Sequence, residues 1–163
     1  MYSDQIVSTF VEAARCHGGT ISPRTSPSVS AELEGRLSFR LPHFCRKLID
    51  SYEFLPFAIG SVEFFGAFGS RDDPDDIECR LFRDPIFVSV LVPVRLFHFA
   101  RPDTGSYDPV CVDLSTPGSI DGPVVTLDPR SNPVSFDGVR RKARGSFVTT
   151  IYGKCERRIT IST

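Results

Sequence analysis

Thr104-Gly-Ser-Tyr107-Asp108-Pro-Val-Cys111-Val-Asp113-Leu, followed after a loop by Gly122-Pro-Val124-Val-Thr-Leu127-Asp128, is the stretch that decides the fold. Two apolar, β-branched runs flank a segment rich in Ser, Pro and Gly, which predicts two neighbouring strands of a sheet. Alternation along the first run puts Cys111 and Asp113 on one face. Nothing in this stretch, or elsewhere in the chain, spells out a reaction.

Working outward, the segments before the pair mix helix and strand signals. Ile6, Val7, Phe10, Val11 and Ala14 recur at helical spacing and predict a helix over residues 4–16, stopped at His17-Gly18-Gly19. Residues 18–30 hold Gly, Thr, Ser and Pro and read as a flexible link, with a short helix from about Ser30 to Leu37. Leu41-Pro42 opens a firmer helix, with Pro at a first helical position and Phe44, Cys45, Leu48, Ile49 and Tyr52 as its apolar stripe. Arg46, Lys47 and Asp50 fall on the opposite face. Phe57–Ile59 and Val62–Phe65, punctuated by Gly60 and Gly66, read as strands. Residues 69–78 read as an acidic loop. Asp84-Pro85 signals a short helix, against the strand-like composition of Ile86–Val92. Arg95–Phe99 alternates as a strand, and Asp103–Ser106 is a turn. After Asp128 the chain is broken by Pro133 and Gly138, and Ser146 is expected to cap a last helix bearing Phe147 and Ile151.

The totals narrow the class. A chain of 163 residues, 40% hydrophobic and 24% charged, is expected to form one globular domain, with 14 Phe making the core Phe-rich. The first 138 residues carry 12 Lys/Arg against 19 Asp/Glu, and the last 25 carry seven against one. An acidic body with a basic end argues against general attraction to nucleic acid. Cys16, Cys45, Cys79, Cys111 and Cys155 are scattered and odd in number, which fits neither a disulfide framework nor a zinc site. The N-terminus opens on polar residues rather than a basic stretch and apolar run, and Ile86–Val94 is too short to span a bilayer. Cytoplasm is the expected compartment.

The ordered set of motifs resembles the SUKH superfamily, which includes fungal cell-wall-assembly regulators and bacterial immunity proteins. The residues that carry the resemblance are Leu41-Pro42, Gly60-Ser-Val62-Glu63-Phe64-Phe65-Gly66, Phe99 through Gly105, Tyr107-Asp108-Pro109-Val-Cys111-Val-Asp113, and Gly122-Pro123-Val124-Val-Thr-Leu127-Asp128. They span roughly residues 30–151, and Ser146-Phe147 is similar to the opening of the family's last helix. Two departures stand out: Ser51-Tyr52-Glu53 replaces the Asn-Gly that commonly ends the Leu-Pro helix, and Pro129-Arg130 replaces acids after the second strand. The resemblance implies a single α+β domain at 30–163, behind an N-terminal helix and link at 1–29. Its antiparallel sheet is packed with helices, and a short helix closes the chain. It implies no cofactor, no metal and no reaction. The implied role is protein binding, most directly neutralisation of a toxin, often a nuclease, encoded nearby; the alternative is a regulatory scaffold of the fungal type.

Residue chemistry offers several candidate sites, each with a plainer reading. Asp108, Asp113 and Asp128 suggest a carboxylate set, but Asp before Pro is a turn residue and Asp113 lies in a strand. Gly69-Ser70 with Asp76 and Glu78 is faintly similar to the phosphate and magnesium residues of nucleotidyltransferases, although the spacer is short and contains Pro74. Asp72, Asp73, Asp75, Asp76 and Glu78 form either a solvated loop or an acidic face for a basic protein partner. Arg140-Arg141-Lys142-Ala-Arg144 reads as a solvated turn; without interleaved aromatics it lacks a stacking platform for nucleic acid. His17, His43 and His98 are isolated, with no His-x-x-x-His pair or nucleophile elbow.

Overall fold

A computed structural model describes residues 2–25, 28–37, 39–70, 72–102, 108–115, 122–127 and 141–146. Helix α1 (Tyr2–Cys16) forms where the spacing predicts it, with Ile6, Val7, Phe10, Val11 and Ala14 all buried. Its end is closed by backbone bonds from Gly18 to the Arg15 carbonyl and from Gly19 to the Ala14 carbonyl, a Schellman arrangement. Helix α2 (Ser30–Arg36) is tied to helix α3 (His43–Ser51) through Asp50, which accepts from the Ser30 amide and from the Ser30 and Ser28 hydroxyls. Burial pulls the Asp50 carboxyl upward, yet these bonds together hold it below the ordinary Asp range. On the same polar side of α3, Arg46 pairs with Glu34 of α2 and Lys47 with Asp4 of α1.

Three local expectations are corrected here. Pro42 sits one position ahead of α3, at its N-cap, with ψ of 143° and a carbonyl that accepts from the Arg46 amide. Tyr52 is not on the helical stripe: it starts strand β2 (Tyr52–Phe54). The supposed link contains strand β1 (Ile21–Pro23), which pairs antiparallel with β2 from Ile21↔Phe54 to Pro23↔Tyr52. A three-residue strand holding Ser and Pro has almost no propensity of its own. It is held by its neighbour Arg24, whose buried guanidinium donates to the carbonyls of Ile49, Tyr52 and Ala67.

The main sheet is a six-stranded antiparallel meander in which each strand lies beside its successor. Its members are β3 (Phe57–Ile59), β4 (Val62–Phe64), β5 (Leu96–Pro102), β6 (Val110–Asp113), β7 (Pro123–Leu127) and β8 (Arg141–Ser146). The opening pair is therefore β6 and β7, adjacent as the sequence predicts, with Cys111 opposite Val125 and Val112 opposite Val124. Gly60, at φ of 64°, makes the tight turn between β3 and β4, where a side chain is strained. The central strands are buried on both sides. Phe97, Val112 and Val124 join a large cluster with α1 and α3, while Leu96, Cys111 and Val125 join a smaller one with Leu91. In the large cluster the Phe10 ring meets Phe44, Phe57 and Phe64 at centroid distances of 5.4–5.6 Å. The core is Phe-rich, and the fold is α+β.

Two further segments depart from expectation. Residues 69–78 are not loop throughout: helix α4 (Ile77–Phe82) starts inside them, with Asp76 as its N-cap, and packs against β5. Six residues are too few to show helical periodicity. Helix α5 (Pro85–Val90), by contrast, forms where Asp84-Pro85 predicts a short helix, despite its β-branched residues. The basic run is not a turn: residues 141–146 are strand β8, and Ser146, expected to cap a helix, is paired with Pro123 in the ladder. The partner strand supplies what the sequence of this segment lacks. The closing helix with Phe147 and Ile151, the turn at 103–106, Gly105, Tyr107, Asp128, Arg140 and Cys155 lie outside the described residues.

Candidate functional site

The residues with most charge chemistry converge around α4 and the loop before it. Gly66 begins this region at a close approach: a Cβ there would lie 2.6 Å from the Phe68 ring and 2.9 Å from the Phe54 carbonyl. Its amide donates to the Asp75 carbonyl and its own carbonyl accepts from Ile77, which closes residues 66–77 into a loop. Asp76, 1% exposed, fills the loop's centre. One of its oxygens accepts from the amides of Phe68, Gly69 and Ser70 at 3.0–3.3 Å, and the other from Glu78 at 2.8 Å. Burial raises its carboxyl above the ordinary Asp range, while the four amides pull the other way. Asp73 accepts from the Asp75 amide, a side-chain turn inside the same loop.

The five acids therefore divide. Asp76 and Glu78 turn inward; Glu78 accepts from Arg36 at 2.8 Å, and that guanidinium lies 3.6 Å over the Phe82 ring. Asp72 is exposed and paired with Arg83, while Asp73 and Asp75 are half-buried at the rim of the loop. Asp75 stands between two arginines, 3.2 Å from Arg101 and 3.6 Å from Arg80. Arg101 is also bidentate to Glu63, its cross-strand neighbour, at 2.6 and 2.9 Å. That bond holds Glu63 below the ordinary Glu range and Arg101 above its own. Arg80 reaches Asp84 at 3.5 Å.

Chemically, this arrangement presents carboxylates on a stiffened loop rather than an open acid pair. The suggested phosphate-and-metal set is assembled in space, since Gly69 and Ser70 do point their amides at a carboxylate, but that carboxylate is Asp76 itself. Among the described residues no three His, Cys, Asp or Glu side chains are grouped to hold a metal ion. A void of about 30 Å³ lies among Phe10, Cys45, Ile49, Phe65, Ile77 and Phe97. Its walls are apolar and it has room for little more than one water.

The other predicted positions serve the scaffold. Leu41, Pro42, Pro109, Cys111 and Val124 are buried, and Pro123 is exposed at the start of β7. Asp113, buried at the end of β6, accepts from the Ser115 amide. Asp108 is half-buried just before β6. His17 follows the end of α1, while His43 lies on α3 and His98 on β5; of the three only His98 is buried. Arg36, Glu63, Arg80 and Arg101 were not legible as site residues. Arg80 and Asp84 at i, i+4 is a local signal, whereas Glu63 and Arg101 meet only through strand register.

Protein-family models, curated proteins and solved structures all lack a match to this chain. No helix among the described residues is long and apolar enough to cross a membrane.

Proposed function

We propose that this chain is a non-enzymatic protein-binding module, acting as a SUKH-type immunity protein that covers the basic groove of a toxin. The observation that carries the reading is the loop at 66–78, which Asp76 stiffens from within while Asp72 is exposed and Asp73 and Asp75 are only half-buried. A loop ordered before binding loses little conformational entropy on docking. Surface carboxylates speed encounter with a cationic partner and disfavour anionic ones. The α+β fold and the motif order of the sequence support the same reading, in which Asp76 and Glu78 shape the loop without touching the partner.

The test is capture with the product of the neighbouring gene, followed by association kinetics in low salt. Replacing Asp72, Asp73 and Asp75 together with Asn is expected to slow association about tenfold at low ionic strength and much less at high salt. An unchanged association rate removes the acidic loop from the interface. Capture of a housekeeping protein instead of a toxin favours the scaffold reading.

A further inference from the structure

We propose that His98 is an acid-sensitive latch beneath α4: it takes a proton only when α4 lifts from β5, so acid frees the helix and the loop tied to it. The geometry carries this. His98 lies in the sheet's third strand, 3% exposed, with Cys111 of β6 as its register partner. Its ring stands edge-on to Phe65 at 4.7 Å, and Arg80 of α4 lies over the same Phe65 ring at 5.0 Å. The imidazole and a cation of α4 thus share one aromatic neighbour.

The charged groups of every neighbouring element point to the same result. From α4 comes Arg80, while Glu78 is turned to Arg36. From β5 itself comes Arg101, 5.9 Å from Phe65. Glu63 of β4 is held by Arg101, Asp75 lies between the two arginines, and Asp113 of β6 accepts from Ser115. The Ala100 backbone serves the imidazole as a hydrogen-bond partner, which a neutral ring satisfies with a single proton. Burial first, then Arg80 and Arg101, depress His98 to about 3, against the Ala100 bond. A base depressed in the folded state contributes stability above its ordinary value, about 6.5, that is lost as pH falls toward 3.

The device is independent of what the loop binds. Native-state amide exchange on the whole chain at pH 7 and pH 5, corrected for intrinsic rates, tests it. The amides of Arg80 and Arg83, bonded within α4, and of Phe68 and Gly69, bonded to Asp76, are the probes. Their opening constants are expected to rise about 25-fold, as one linked proton requires, while Phe10 and Val11 in α1 stay better protected than the α4 probes at both pH values, as opening of α4 short of global unfolding requires. His98→Gln is expected to remove the pH dependence. Unchanged protection at α4 between the two pH values, or protection at α4 equal to that of α1 at both, overturns the latch.

Discussion

The cluster around Phe10 and the cluster around Phe65 are both aromatic, yet they are held by different forces. Phe10 is surrounded by Phe44, Phe57 and Phe64, so what α1 contributes to the sheet is apolar burial. Phe65 is approached by His98, Arg80 and Arg101, and the carboxylates that balance those arginines sit at or near the surface. Apolar burial carries no charge to screen or titrate, whereas ion pairs and buried titratable groups answer to salt and pH. The lesson is a division of labour: α1, α3 and the sheet make a fixed platform, and α4 with its loop is the part that conditions or partners can change.

Substitutions that break this contrast follow in order of size. Phe10→Ala removes a 1% exposed ring from the apolar side and is expected to cost about 4 kcal/mol, read by urea denaturation, with equal loss at low and high salt. Asp76→Ala strips the acceptor from four amides and removes the α4 cap at once. It is expected to cost about 3 kcal/mol, with exchange rising first at Phe68, Gly69 and Glu78. Loss confined to α1 would contradict the assignment of Asp76 to the loop.

Glu63→Gln tests the charged side more gently, at about 1 kcal/mol. Because Arg101 lowers the Glu63 carboxyl, its contribution is present above the unfolded value near 4.3 and vanishes as pH falls through the folded one. Wild type and variant should therefore differ in thermal midpoint at pH 7 and converge at low pH; a constant difference would show that the charge is not what matters. Asp72→Asn has the smallest expected effect. Its pair with Arg83 is exposed, so the thermal midpoint should stay where it is, leaving any change in partner association as a clean electrostatic readout.

Much of the frame was legible because its signals are local. The spacing of Ile6, Phe10 and Ala14, the Pro42-led helix, the Gly60 turn, the Asp84-Pro85 start and the paired runs of β6 and β7 each carry their own stop or period. The missed elements carry none. β1 is three residues fastened by Arg24, α4 is shorter than two helical turns, and β8 is a basic run that becomes a strand only beside β7.

The candidate site divides along the same line. By itself the sequence determined that residues 72–78 are rich in acids and that strands and helices alternate around them. The tertiary structure decided that Asp76 and Glu78 are buried in the scaffold while Asp72 is exposed and Asp73 and Asp75 are half-buried. It also decided that Glu63 meets Arg101 and that His98 and Arg80 meet the same Phe65 ring. Composition records which groups can ionise. Burial and register depend on segments far apart in the chain, and they determine which of those groups meet water and which meet each other.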